Sequence, residues 1–245
     1  MSESEFQPGE QWELYYHQFG DTWFLGRGEF VRLMFEVAGV PYLDQGRLNP
    51  GCVKDVIGAG AAANPVGFPC FAPPIIKKGD FILCQTPSIM KFLGKQLGLY
   101  PDNIVDEAHA DSMNAFVTDF VSEGRLVFHS QCFTAGYAVQ KDSDQVKGTI
   151  KWFKEERLAK FLNYFEAVLG HTASGFVIGK SLTYVDVAVF HCIEATAAQF
   201  PDEFLTLSGS TPLVVAHRAM VREIPNIASY LASDRRGVFA GDSMM

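Results

Sequence analysis

Pro73-Pro74-Ile75-Ile76-Lys77-Lys78-Gly79-Asp80-Phe81-Ile82-Leu83-Cys84-Gln85-Thr86-Pro87 is the stretch of this 245-residue chain that says most about its fold. Two short apolar runs, Ile75-Ile76 and Phe81-Ile82-Leu83, flank the turn residues Lys78-Gly79-Asp80, which predicts a β-hairpin. A proline at the opening of a hairpin strand is unusual, because it brings no N–H to the ladder; Pro74 sits there. At the far end the strand gives way to Gln85-Thr86. Beyond them Ile89, Phe92, Leu93 and Leu97 recur at helical spacing, and Gly98 stops the pattern. Thr86 reads as the N-cap and Pro87 as the first helical residue. The unpaired N–H groups of such a helix start attract a carboxylate. Taken alone, this strand–turn–strand–helix is best explained by ordinary capping chemistry.

Working back from the hairpin, residues 46–73 are rich in glycine, alanine and proline, with a short helix near Lys54-Asp55-Val56-Ile57. Before them, Val40-Pro41-Tyr42-Leu43 reads as a short strand. Glu29 to Ala38 reads as a helix, because Phe30, Leu33, Met34 and Val37 fall on one side and Gly39 follows as a stop. Gly20 to Gly28 reads as a loop, and Trp12-Glu13-Leu14-Tyr15-Tyr16 as an aromatic first strand. Residues 1–10 form a polar tail. The first ~100 residues therefore run strand, helix, strand, loop, hairpin, helix.

Working forward, the pattern after Tyr100-Pro101-Asp102 is helical throughout. One helix starts near Val105 and carries Met113, Phe116, Val117 and Phe120. A polar break follows at Lys141-Asp142-Ser143-Asp144. The next helix is strongly amphipathic, with Leu158, Phe161, Leu162, Phe165, Val168 and Leu169 on one face. Another starts at Thr183, where Asp186 three residues on completes an Asp version of the capping box. A last helix spans roughly Pro212 to Ile224, and the tail from Arg235 to Met245 reads as loosely ordered. Two domains follow, at residues 10–98 and 105–235.

Composition narrows the function. With 48% apolar and 20% charged residues the chain can build a core. The net charge of −8 argues against nucleic acid and against a polybasic membrane surface. Met1-Ser2-Glu3-Ser4-Glu5-Phe6 lacks the apolar core of a signal peptide, and no uninterrupted apolar run approaches ~18 residues, so a cytoplasmic protein is expected. Cys52, Cys70, Cys84, Cys132 and Cys192 are odd in number and scattered, which speaks against a disulfide framework or structural zinc. The six histidines, among them His17 and His109, show no metal-ligand spacing, so no metal is expected. Gly58-Ala59-Gly60-Ala61-Ala62-Ala63 fits a relaxed dinucleotide fingerprint, but the prolines that follow deny it the helix it needs.

The residues carry a family resemblance as well. Gln85-Thr86-Pro87-Ser88-Ile89-Met90-Lys91-Phe92-Leu93, with Gly98-Leu99-Tyr100-Pro101 after it, resembles the glutathione-transferase segment Gln-Ser-x-Ala-Ile-x-x-Tyr-Leu and its Gly-Leu-Tyr-Pro exit. Phe176 to Val187 resembles the family's capping-box segment. Gly26-Arg27-Gly28-Glu29-Phe30-Val31-Arg32-Leu33-Met34-Phe35, with Ala38 to Tyr42, resembles the family's first helix in its sigma-like and mu-like classes. Together these cover about residues 12–232. They imply a thioredoxin-like α/β domain followed by an all-helical domain, usually in a homodimer.

The resemblance also implies roles. A cis proline, Pro74, would turn the preceding backbone toward the cysteine of glutathione, although Pro73 has no N–H to offer it. Gln85 and Thr86 would hold the γ-glutamyl carboxylate. Tyr16 would donate to the glutathione sulfur, with Arg27 nearby. The loop His17 to Thr22 is about five residues longer than the sigma-like pattern, which makes Thr22 a second candidate donor. Asp119 would reach across a dimer interface to the glutathione amine. Glutathione would be a co-substrate, no cofactor is expected, and the partner would be an apolar electrophile near Phe116, Phe120 and Phe128. The alternatives left open are a non-catalytic relative of structural or binding function, a glutathione-dependent isomerase and a thiol transferase. The last is weakened because no cysteine lies at the end of the first strand.

Overall fold

The computed structural model describes residues 10–18, 25–57 and 68–241. Four strands form one mixed sheet in the order β2-β1-β3-β4: β1 (Trp12–Tyr15), β2 (Tyr42–Asp44), β3 (Ile75–Lys78) and β4 (Phe81–Cys84). β1 runs parallel to β2 and antiparallel to β3, and β3–β4 is the expected hairpin. Helix α1 (Gly28–Ala38) supplies the crossover between β1 and β2, as a parallel pair requires. Two short helices, α2 (Gln45–Leu48) and α3 (Val53–Ile57), follow β2, and α4 (Thr86–Gln96) follows β4. The second strand starts at Tyr42 and not at Val40, since Pro41 has no N–H to give to a ladder.

The sheet is covered through aromatic side chains. The Trp12 ring lies 5.8 Å from Phe35 of α1 and 6.1 Å from Phe92 of α4, edge-on to the latter. Strand alternation turns Tyr15 the other way, into an apolar cluster with Cys52, Val53, Ile75, Ile82 and Cys84. Gly39, at φ 66°, ends α1 in the left-handed turn that glycine adopts without a Cβ penalty.

The remaining helices are α5 (Ile104–Phe128), α6 (Asp144–Trp152), α7 (Leu158–Thr172), α8 (Tyr184–Gln199), α9 (Pro201–Ser208), α10 (Pro212–Arg222) and α11 (Pro225–Leu231). A π-helical turn, Phe153–Arg157, joins α6 to α7. Asn103 caps α5 by accepting the N–H groups of Val105 and Asp106. Every residue of α8 from Tyr184 to Thr196 is buried, which explains why it lacks an amphipathic pattern.

Asp186 anchors that helix. Its Oδ2 accepts the Thr183 N–H at 2.7 Å and the Thr183 hydroxyl at 2.9 Å, and its Oδ1 accepts the Val177 N–H at 2.7 Å. The capping box read from the sequence is present.

The chain divides into two compact units, Met1–Gly98 with Pro225–Val238, and Leu99–Ile224 with Phe239–Met245. The stretch 225–238, of which residues 225–235 were counted with the helical domain on sequence, thus groups with the sheet, where α11 packs on α1. Helices α2, α6, α9 and α11 escape the sequence reading. Of these, α9 and α11 each open on a proline, Pro201 or Pro225, where the missing N–H has no partner to lose, yet in sequence the same residue reads as a stop. The tail is also better held than its composition suggests. Arg235 pairs with Glu36, and the Leu25 N–H donates to the Val238 carbonyl at 3.0 Å.

Candidate functional site

Strand register gathers the candidate residues of the first unit. Tyr15 pairs with Ile75, and Ile75 with Cys84. Extending both pairings by one residue sets Tyr16, Pro74 and Gln85 side by side along one end of the sheet. The Pro73–Pro74 peptide is cis, as the sequence suggested, and Pro74 is buried. Arg27 joins the row from the start of α1, and Thr86 from the start of α4. Asp119 belongs to the second unit, where it is exposed on α5.

Around Gln85-Thr86 the structure revises the capping scheme. Gln85, not Thr86, is the N-cap of α4, and Thr86 is the first helical residue. Gln85 is exposed and sits at φ 74°, ψ 111°, a left-handed conformation that costs a non-glycine residue on the order of 1–3 kcal/mol. Its side chain caps nothing. The Thr86 Oγ1 is buried with no hydrogen-bond partner. A buried, unsatisfied hydroxyl costs about 1–3 kcal/mol. A strained residue and an unsatisfied one, adjacent at a helix N-terminus, fit an anionic ligand that neither finds within the protein.

Tyr16 stands just past the end of β1 and is buried. Its hydroxyl accepts the Arg27 backbone N–H at 2.8 Å. Burial raises its pKa, only partly offset by that N–H bond and by the Arg32 and Arg27 charges, so the phenol stays protonated at neutral pH. Two glycines shape its seat. A Cβ on Gly28 would lie 2.7 Å from the Tyr16 Cγ, and one on Gly46 would lie 2.5 Å from the Tyr16 carbonyl oxygen. The Arg27 contribution is mainly its backbone N–H.

The chief cation at Tyr16 is one the sequence reading missed. Arg32 is buried, with its guanidinium carbon 5.8 Å from the Tyr16 ring centroid. It donates to the Asp44 Oδ2 at 2.7 Å and to the Leu25 carbonyl at 3.1 Å, and it lies 3.6 Å from the buried Glu29. The Tyr230 hydroxyl from α11 donates to the same Glu29 at 2.8 Å. The available signal was Glu29 and Arg32, charged and three apart on the side of α1 that should have faced the core.

In the second unit Phe120 and Phe128 are buried in the core, and Phe116 packs against Phe161, Tyr164 and Phe165. None of the three lines a 760 Å³ cavity of that unit, whose wall includes Met113, Tyr164, Val168 and Ile178. Thr22 and the 58–63 fingerprint lie outside the described residues. Among the described residues no three His, Cys, Asp or Glu side chains cluster as metal ligands, and no helix is long and apolar enough to cross a membrane.

Residues 128–234 match the family model described as glutathione S-transferase, C-terminal domain. Over 209 residues the chain is 30% identical to glutathione S-transferase 1 of Ascaris suum, covering 84% of this chain and 91% of that one. The chain belongs to the glutathione S-transferase family. A glutathione S-transferase of Plasmodium yoelii yoelii is 26% identical over 220 residues, covering 87% of this chain and 92% of the relative. The fold agrees with that of a solved glutathione S-transferase from the hookworm Necator americanus, at a TM-score of 0.69 and 21% identity over 90% of this chain and 96% of that one. The row Tyr16, Pro74, Gln85, Thr86 thus has a buried tyrosine hydroxyl at one end and the start of α4 at the other.

Proposed function

We propose that this protein is a glutathione transferase that joins the sulfur of glutathione to an apolar electrophile. The observation that carries the reading is the partnerless Thr86 Oγ1, buried at the start of α4 next to Gln85 at φ 74°. The γ-glutamyl carboxylate of glutathione would accept from the Thr86 hydroxyl and the Gln85 carboxamide, aided by the positive end of α4. The Pro73 carbonyl remains available to the peptide's cysteine N–H. Proline has no N–H to return, so this contact is one-sided.

At the sulfur, Tyr16 donates its proton in a hydrogen bond that favours the thiolate. The N–H it accepts from Arg27 polarises the O–H and strengthens it as a donor. Buried Arg32 adds positive charge. The thiolate then attacks the electrophilic carbon; the S–C bond forms and the leaving group departs with its electron pair. Holding the two reactants together does most of the rest. Glutathione is a co-substrate and no further cofactor is needed. A homodimer, a cytoplasmic setting and a role in detoxification belong to the same reading. So does Asp119 of one copy, which would meet the glutathione amine held by the other.

Tyr16→Phe tests the chemistry. Loss of one hydrogen bond to a charged sulfur costs about 1.5–3 kcal/mol, or roughly a 10- to 100-fold drop in kcat/KM. The pKa of bound glutathione, followed by thiolate absorbance, should rise with it. Wild-type protein that neither binds glutathione nor conjugates a standard aryl halide would overturn the proposal.

A further inference from the structure

Beyond α11 the chain returns to its own first unit. Residues 234–238 form no helix, yet they are fastened at several points. Arg47 of α2 donates to the Arg235 carbonyl at 2.9 Å and to the Asp234 carbonyl at 3.3 Å. The Arg235 guanidinium grips both carboxylate oxygens of Glu36 on α1. The Arg236 Nε lies 3.6 Å from the buried Glu29. The Val238 carbonyl accepts the Leu25 N–H at 3.0 Å.

This last bond leads to Tyr16. Leu25 is buried, and its carbonyl accepts the Arg32 guanidinium at 3.1 Å and the Glu29 N–H at 3.2 Å. Two residues on, the Arg27 N–H donates to the Tyr16 hydroxyl at 2.8 Å. One short turn therefore carries both the N–H that Tyr16 accepts and the carbonyl that holds the cation beside its ring. We propose that residues 234–238 are a strap that positions Tyr16, by holding the Leu25 N–H and with it the Leu25–Arg27 turn.

Their side chains and carbonyls act through Leu25, Arg27 and Arg32, which makes Arg235 and its neighbours positioning residues. The hydroxyl of Tyr16 has one proton to give, and the N–H it accepts sets the direction in which it gives it. A small displacement of that turn would misalign the bond to the glutathione sulfur. The clasps add little to stability by comparison. Arg235 is 47% exposed, and ion pairs of that kind contribute about 0–1 kcal/mol. None of these contacts involves the start of α4, where Gln85 and Thr86 lie. Loosening the strap should therefore lower kcat and leave KM for glutathione unchanged.

The inference rests on the proposed role of Tyr16, so its test has one readout in the chemistry and one in the backbone. Arg235→Gln, Arg47→Gln and the double variant are made in the full chain. The double variant should lose roughly 2- to 10-fold in kcat, the worth of one neutral hydrogen bond, and should raise the pKa of bound glutathione. Residue-resolved hydrogen exchange on the free protein should show faster exchange at the Leu25 and Arg27 amides. Arg235→Lys can still pair with Glu36 and should restore wild-type behaviour. Phe239→Ala, just past the strap, removes a ring stacked on His191 and should change neither readout. An active wild type whose double variant keeps its thiol pKa and both exchange rates overturns the strap and leaves the transferase standing. Equal losses from Phe239→Ala would also overturn it, as general loosening of the chain end. If the two amides respond in a protein that conjugates nothing, the hold on the turn survives and the transferase reading fails.

Discussion

Replacing Thr86 with valine separates binding from stability. The two side chains are nearly isosteric, and both are β-branched, so the change exchanges one hydroxyl for one methyl. In the free protein the Thr86 Oγ1 is buried without a partner, so its removal relieves a desolvation cost of about 1 kcal/mol or more. For a chain of this length that corresponds to a Tm higher by about 2–4 °C. In the complex the same hydroxyl would donate to a carboxylate, a bond worth about 1.5–3 kcal/mol, so Kd for glutathione should rise about 10- to 100-fold. Differential scanning calorimetry reads the first effect and isothermal titration the second. Most substitutions damage stability and function together, so opposite movement is diagnostic. A fall in Tm with an unchanged Kd would show that the hydroxyl serves the fold, and would refute the reasoning.

Other outcomes follow from the same geometry. Gly28→Ala drives a Cβ to 2.7 Å from the Tyr16 ring, and should cost about 1–3 kcal/mol in urea unfolding together with a loss of kcat/KM; unchanged activity would show that the ring is free to shift. Asp186→Ala strands the Val177 and Thr183 N–H groups in the core and should destabilise by about 3–5 kcal/mol, against about 1 kcal/mol for Thr183→Ala, a ratio that denaturant titration resolves. Stability should also decline in alkali. Tyr16 and Tyr230 are buried with pKa values raised above 10.0, so the folded state keeps protons that the unfolded chain releases. Their contribution is intact below pH 10 and is lost as pH climbs toward the folded values, by about 1.4 kcal/mol per pH unit for each group. Ultraviolet titration that finds every tyrosine ionising near its ordinary value would contradict this.

Much of the fold was legible in the sequence because its signals are local. The hairpin announces itself in Lys78-Gly79-Asp80 between apolar runs, α1 in a 3.6-residue period closed by Gly39, and α8 in Thr183 and Asp186 three residues apart. Pro74 could likewise be singled out, since a proline opening a hairpin strand breaks a local expectation, whereas Gln85 and Thr86 were marked by the family resemblance. The helices that begin at Pro201 and Pro225 could not be read this way. A proline looks the same in sequence whether it ends one helix or starts the next, and only the following turns decide.

What only the tertiary structure decided is how these residues meet. Register, a non-local property of paired strands, lines up Tyr16, Pro74 and Gln85 from three separate segments. Long-range packing buries Arg32 and Glu29 with Tyr230, 201 residues away from Glu29, and so places a cation by the candidate donor that no motif revealed. The positive φ of Gln85 and the partnerless Thr86 hydroxyl are conformational facts with no sequence signature. The family resemblance therefore named the candidate residues, and long-range packing set their charge, strain and unmet hydrogen bonds.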